Sequence, residues 1–540
     1  MNTAQALIKS LEAEGVKYVF GVPGEENLAV LEAIRESSLE YIVTRHEQGA
    51  AFAAATIGRL TGNPAVCLTT LGPGATNAVT GVAYAQLGAM PFILLTGQKP
   101  IRHSKQGAFQ IIDVVDLMGP ITKFSKQLVE GSMAAATVRE AIRLATEERP
   151  GAVMLEVPED IASEKIKYRP IPISKPRRPV AEEKAIEHVV LLLEKATRPI
   201  LIVGAGSNRK RTSRILTELV QTYDIPFVPT QMGKGVISES MPQYAGTAAL
   251  SSDDYVHSTI EKADLVINIG HDVVEKPPFI MEGERQVVHI NFESAEVNDI
   301  YYPQCEVIGD IANAIWQITQ ALKTKDLSHW DTQYHKEAKQ KLDDWFEQSV
   351  ATAETITPQV LVNATRTGID NDGILTLDNG MYKIWFARHY ETYMENTLLL
   401  DNALATMGAG LPSAIGAKTV YPDKQVVTVV GDGGFMMNSQ ELETAVRMNL
   451  DLVVVILNDE SLQMIRWKQG NEGLKDYGLE FNNPDFIQYA ESYGAKGHRV
   501  ATVMEYKETL DLALKKGGVH VLDVAIDYSK NSDDLVINQS

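Results

Sequence analysis

VVTVVGDGGFMMNSQELETAVRMNLDLVVVILNDESLQMIRW, residues 426–467, is the stretch from which the rest of the chain can be read. Residues 426–430 form a short apolar run rich in β-branched side chains, the pattern of a strand buried on both faces of a parallel sheet. It ends in Gly431-Asp432-Gly433-Gly434, and a helical pattern follows with Leu442, Ala445, Val446 and Leu450 on one face. A second buried run, residues 452–457, stops at Asn458-Asp459. The spacing predicts a βαβ unit with an acidic residue at the carboxyl end of each strand.

That arrangement has a chemical use. In doubly wound sheets ligands lie beyond the carboxyl ends of the strands, where glycines let a phosphate approach backbone N–H groups. A carboxylate there repels a bare diphosphate unless a cation stands between them, and Mg²⁺ takes one or two carboxylates together with phosphates. Asp432 and Asp459 are therefore candidate metal ligands, with the backbone carbonyl of Ser461 as a third oxygen, and Gly433 and Gly434 are candidate phosphate contacts. Without that chemistry the unit is an ordinary βαβ with a glycine turn. GDGG followed by Asn-Asp at this distance resembles the signature of thiamine-diphosphate-dependent enzymes.

The totals agree with a large enzyme. A chain of 540 residues is too long for one core, and two to four domains are expected. Hydrophobic residues make up 44% and charged residues 22%, as in globular proteins. The net charge of −20 argues against nucleic acid and anionic membranes as partners. Cys67 and Cys305 lie in apolar surroundings and read as core thiols of a reducing compartment. Residues 1–16, MNTAQALIKSLEAEGV, have an amphipathic helical pattern containing acids, unlike a signal or transit peptide. No apolar run is long enough to span a bilayer. The expectation is a cytoplasmic enzyme.

Along the chain, helical patterns alternate with short strands at residues 18–20, 41–43, 65–68, 92–96 and 153–157. Alternation of this kind implies parallel sheets with helices on both faces. Residues 166–180, rich in proline and charge, read as a linker. Strand-then-glycine patterns recur at residues 199–206 and 265–270. The Gly204-Ala205-Gly206 turn invites a dinucleotide reading, but Arg209 breaks the GxGxxG spacing and a purely structural turn is preferred. Residues 323–357 are charged and mostly helical and read as a connecting arm, and the polar end of the chain reads as loosely held. The fold expected is α/β, with three doubly wound parallel-sheet domains over residues 1–165, 181–323 and 357–528. This matches the plan of thiamine-diphosphate decarboxylases and carboligases: a pyrimidine-binding domain, a middle Rossmann-like domain and a diphosphate-binding domain.

The resemblance assigns further residues. Thiamine chemistry needs a carboxylic acid hydrogen-bonded to N1′ of the aminopyrimidine, so that the cofactor's own amino group serves as base. Residues 45–52, RHEQGAAF, resemble the family's activator motif and make Glu47 that acid. The segment 402–412 resembles the one that bends the cofactor, with Met407 as the apolar wedge and Ala405 as a second contact. Asp378-Asn379-Gly380-Met381-Tyr382 resembles a second diphosphate loop, with Asn379, Gly380, Met381 and Tyr382 as phosphate contacts. Residues 70–77, TLGPGATN, resemble a loop near the active site in acetolactate synthases. Gly107-Ala108-Phe109-Gln110 resembles the loop that places a catalytic Gln there. Pyruvate decarboxylases carry a His pair in that loop, whereas this chain has only His103. An amide does not readily deliver a proton, which favours joining the two-carbon unit to a second 2-oxoacid.

The closest likeness is to the FAD-independent, catabolic type of acetolactate synthase. Residues 269–276, IGHDVVEK, lack the arginine pair of FAD-binding relatives, so FAD is not expected. The segment 464–469 corresponds to the specificity helix, and Lys468 stands where enzymes preferring 2-oxobutyrate have Trp. Glu26 departs from the lysine that catabolic enzymes often carry at that turn. Val22, Gln110, Met464 and Lys468 are the candidate substrate contacts, and Met464 also a cofactor contact. The activity implied is condensation of two pyruvate molecules to 2-acetolactate with loss of CO₂, dependent on thiamine diphosphate and Mg²⁺. The alternatives are another 2-oxoacid decarboxylase or carboligase, or a silent relative that binds only nucleotide or protein partners. The resemblance implies a homodimer as functional minimum and a homotetramer as the usual assembly.

Overall fold

The computed structural model describes residues 1–102, 107–173, 178–249, 254–279, 281 and 285–531. His103 lies outside them. Among the described residues seventeen strands form three sheets, of six, five and six strands, and every pairing within them is parallel.

The first sheet contains β1 (Tyr18–Gly21), β2 (Glu40–Val43), β3 (Ala65–Thr69), β4 (Phe92–Gln98), β5 (Phe124–Gln127) and β6 (Ala152–Pro158), in the order β2-β1-β3-β4-β6-β5. The middle sheet contains β7 (Pro199–Val203), β8 (Phe227–Pro229), β9 (Leu265–Ile269), β10 (Gln286–Asn291) and β11 (Cys305–Ile308), in the order β11-β10-β9-β7-β8. The third contains β12 (Ile374–Leu377), β13 (Leu398–Leu399), β14 (Val426–Gly431), β15 (Leu452–Asn458), β16 (Lys496–Val500) and β17 (Val519–Ala525), in the order β13-β12-β14-β15-β17-β16. Central strands such as β4 are buried throughout, as continuous apolar runs in parallel sheets require. Edge strand β5, FSKQ, has no fully buried residue and gives no such signal.

The first and third domains share one core. The helix Glu47–Thr61 lies against the helix Gly410–Val420, and its alanines at 50, 51, 53, 54 and 55 are all buried. Small side chains let the two backbones come close: a Cβ at Gly416 would lie 2.5 Å from the carbonyl oxygen of Ala53.

Three local expectations change. The helical stretch after GDGG is two helices, Asp432–Asn438 and Glu441–Arg447. At the break Asn438 bonds to Gly408 and Gln48, and Ser439 to Tyr489. The charged arm carries the helix Lys336–Ala351, which docks firmly through its aromatic residues. Phe346 stacks on His389 with ring centroids 4.2 Å apart, and Trp345 stacks on Trp385. The end of the chain is also tied down as far as Asn531, whose side-chain oxygen accepts the indole N–H of Trp385 at 2.7 Å. Among the described residues no helix is long and apolar enough to cross a membrane.

Candidate active site

The two acids at the ends of β14 and β15 meet. Asp432 opens its short helix and is 2% exposed. One of its oxygens accepts the N–H of Gly433 at 2.7 Å. The other accepts the backbone N–H groups of Asp459 and Glu460, at 3.1 and 2.7 Å, and the amide of Asn483 at 2.8 Å. Burial, with the charge of Asp432 beside it, pushes the Asp459 carboxyl up to about 7. Its Oδ2 and the hydroxyl of Ser461 are buried without a hydrogen-bond partner. Buried polar atoms are rarely left so, and a cation between the carboxylates would satisfy one oxygen and offset the repulsion. The described residues contain no group of three or more His, Cys, Asp or Glu side chains able to hold a metal. The paired carboxylates and the unpartnered oxygens beside them fit a hard cation that draws its other ligands from carbonyl and phosphate oxygens.

Around this pair the third domain gathers its other loops. Asp378, buried at the end of β12, accepts the N–H groups of Asn379, Gly408 and Gly410 at 2.6, 2.9 and 3.2 Å. Its carboxyl is pushed up to about 6 by burial. A Cβ at Gly434, the last glycine of the turn, would crowd that carboxyl at 3.1 Å. Met407 is half-buried, and a Cβ at Gly433 would lie 3.5 Å from its methyl group. Ala405, exposed, has a left-handed φ of 53°.

The expected phosphate loop is partly turned inward. The Asn379 amide donates to the carbonyl of Thr406 at 2.6 Å, and its oxygen accepts Lys383 Nζ at 2.6 Å. Met381 packs in the core. The Tyr382 hydroxyl accepts the N–H of Gly431 at 3.1 Å. At the start of the helix Tyr382–His389 the N–H groups of Lys383 and Ile384 already bond to the carbonyls of Gly380 and Met381, at 3.2 and 3.3 Å. Met464 is half-buried, whereas Lys468 is exposed with its amine 4.6 Å from the ring centroid of Trp467.

In the first domain Glu47 is the first residue of its helix and 8% exposed. His46 caps the helix, its Nδ1 accepting the N–H of Gln48 at 3.1 Å. One Glu47 oxygen accepts the Asn77 amide at 3.0 Å, and a Cβ at Gly74 would lie 3.4 Å from the other. The same loop meets Gln110, because a Cβ at Gly72 would lie 2.8 Å from the Gln110 carbonyl oxygen. Gln110 is exposed, with a left-handed φ of 58°. Such backbone persists only where its surroundings hold it, and Glu460, next to Asp459, has a φ of 53°. Val22 is half-buried in the turn after β1.

The structure thus brings together Asp432, Asp459, Met407, Gly433 and Gly434 as one group, and Glu47 with the 70–77 loop and Gln110 as another. Asn438 links them: it donates to Gln48, beside Glu47, and to the carbonyl of Gly408, beside Met407, at 2.9 and 2.8 Å. Asp378, Asn438 and Asn483 were not foreseen as site residues. Of these only Asp378, at the end of an apolar run beside Asn-Gly, left a sequence signal.

Comparison with known proteins agrees with this geometry. Residues 1–117 match the thiamine pyrophosphate enzyme N-terminal TPP binding domain, 186–318 the central domain, and 378–524 the C-terminal TPP binding domain. Acetolactate synthase of Bacillus subtilis is 32% identical over 98% of this chain and 94% of that protein. A probable acetolactate synthase large subunit of Methanocaldococcus jannaschii is 33% identical over 98% of this chain and 92% of that protein. A catabolic acetolactate synthase of Raoultella terrigena is 31% identical over 98% of this chain and 95% of that protein. With three matched domains and relatives aligned over nearly its whole length, the chain belongs to the thiamine pyrophosphate enzymes, as a member of their acetolactate synthase-like family.

Proposed function

We propose that this protein condenses two molecules of pyruvate to 2-acetolactate with release of one CO₂, using thiamine diphosphate and Mg²⁺. When bound, thiamine diphosphate supplies the carbon nucleophile and takes up the electron pair released with CO₂. The chain's residues do the rest. Asp432, Asp459 and the Ser461 carbonyl would hold the metal, while Gly433 and Gly434, having no side chains, would let a phosphate approach the backbone. Met407 gives the ring an apolar support. Glu47, held by Asn77, is the acid that shares a proton with N1′.

The observation that carries this reading is the 70–77 loop, which touches Glu47 at Gly74 and Asn77 and Gln110 at Gly72. It couples the acid that switches the cofactor on to an amide that donates a hydrogen bond without giving up a proton at neutral pH. In that setting the two-carbon unit would be left to join a second pyruvate. Val22 and Met464 suit its methyl group, and Lys468 is the cationic substrate contact.

The middle domain supports a reaction without FAD. Glu275 fills the place a phosphate would take at the glycine turn: its Oε2 accepts the N–H of Ala205 at 3.0 Å and its Oε1 the hydroxyl of Thr230. The N–H groups of Gly204, Gly206 and Ser207 bond to Ile269, Gly270 and Gly204. Exposed apolar side chains on the site elements, Phe109 at 62% and Met437 at 52%, support a second copy as partner, hence the dimer or tetramer.

The test is product analysis with pyruvate, thiamine diphosphate and Mg²⁺, with and without FAD. Acetolactate, read as acetoin after acid treatment and unchanged by FAD, is expected. Acetaldehyde alone would favour a decarboxylase, and no cofactor binding at any Mg²⁺ concentration would remove the reading altogether.

A further inference from the structure

A buried ion pair at the carboxyl end of the first sheet has no part in the chemistry above. Glu26 lies in the turn after β1 and Lys99 directly after β4, with Lys99 Nζ 2.6 Å from Glu26 Oε1. Their side chains are 5% and 9% exposed. The other oxygen of Glu26 accepts the hydroxyl of Thr70, which opens the 70–77 loop. Taking two charges out of water costs several kcal/mol per ion, and an apolar pair of similar volume often serves stability as well. What this pair adds is direction, because it fixes one hydroxyl at the root of one loop.

Thr70 passes that constraint on. A Cβ at Gly24 would lie 2.6 Å from its Cβ, and one at Gly74 would lie 3.0 Å from its Cγ2. Its carbonyl accepts the Thr96 hydroxyl at 3.0 Å. A Cβ at Gly97 would lie 2.8 Å from the Glu26 carbonyl oxygen. The ends of β1, β3 and β4 are therefore locked around one threonine. Two residues on, Gly72 faces Gln110.

We propose that Glu26, Lys99 and Thr70 are a positioning set that seats the 70–77 loop and thereby aims Gln110. Their arrangement decides whether the two-carbon unit forms a carbon–carbon bond to a second 2-oxoacid or takes a proton and leaves as acetaldehyde. This rests on the acetolactate reading. Metal and diphosphate are held from the third domain, so the set acts on the partition of product and leaves cofactor retention alone.

Lys99→Met removes the charge at nearly constant volume, and Thr70→Val removes the hydroxyl while leaving both charges in place. Holoenzyme is given pyruvate, and acetolactate and acetaldehyde are measured together. Thiamine diphosphate affinity is followed by calorimetry, and the unfolding temperature of cofactor-free protein is compared for Glu26→Lys, Lys99→Glu and the double exchange. The expected result is a rise of about fivefold or more in the acetaldehyde share for either variant, with cofactor affinity within about twofold. The double exchange should recover the unfolding temperature lost by each single change, as coupled partners do. An unchanged partition in folded Lys99→Met or Thr70→Val, or a double exchange no better than the singles, overturns the positioning set. If Lys99→Met does not fold, Thr70→Val decides. A wild-type protein that makes no acetolactate overturns the functional reading instead.

Discussion

The first and third domains have the same strand order, with the second strand at one edge, then the first, third, fourth, sixth and fifth. Corresponding loops can be laid side by side. The 22–26 turn answers to the 378–381 loop, the start of the Glu47 helix to the Met407 segment, the 70–77 loop to Gly431-Asp432-Gly433-Gly434, and Lys99 to the Asp459 turn. One scaffold has thus been given two chemistries. In the third domain the loops bring two carboxylates together with unsatisfied oxygens, a place for a cation. In the first the buried carboxyl of Glu47 leans on a neutral amide, a place for sharing a proton. Topology locates the loops, and the charge on them sets the task.

The division can be broken by experiment. The largest effect is expected for Asp432→Ala, which should abolish retention of thiamine diphosphate on gel filtration and weaken its binding by roughly 10²-fold or more, at least the scale for disturbed metal sites. Glu47→Gln should leave that binding within a few-fold while lowering turnover by roughly 10² or more, the scale for a lost acid-base group. If calorimetry shows Glu47→Gln losing cofactor as Asp432→Ala does, the two domains do not divide binding from activation.

The middle domain sharpens the contrast, because its buried carboxyl neither attaches nor activates. Burial pushes Glu275 up from 4.5 to about 7. The folded chain therefore holds this proton over a range where the unfolded chain has released it. The stabilising contribution is full below the unfolded value and declines as pH rises toward 7. Glu275→Gln should flatten denaturant-measured stability between those limits by on the order of 2 kcal/mol, and an unchanged slope would count against a buried carboxyl at that turn. The smallest effect is expected for Asn77→Ala. Losing one hydrogen bond to Glu47 should lower turnover by about five- to tenfold, with cofactor affinity unmoved.

Much of this was legible in the chain itself. Runs such as 426–430 and 452–457 announce buried parallel strands because no residue in them needs to face water. The two acids at their ends follow from where such strands stop. The turn at residues 439 and 440 was not legible, because it depends on Asn438 finding Gly408 and Gln48 across the fold. Asn483 reaches Asp432 from a loop of no distinctive pattern. Edge strands such as β5 lack the apolar signal because only their inner rims are covered. The side chain of Asn379 turns inward for a reason equally hidden in the sequence. Lys383, buried and held down to about 8 by burial, needs oxygen acceptors and takes that of Asn379.

Glu441 reaches from the third domain to accept the N–H groups of Arg45 and His46, at 3.1 and 3.0 Å, in space that Gly49 leaves open. The consequence reaches beyond catalysis to modular exchange. A chimera that grafts the N-terminal third of this chain onto a foreign C-terminal third inherits two bare amides unless an acid is supplied at the matching place. A crossover that keeps this contact moves positions 49 and 441 as a pair.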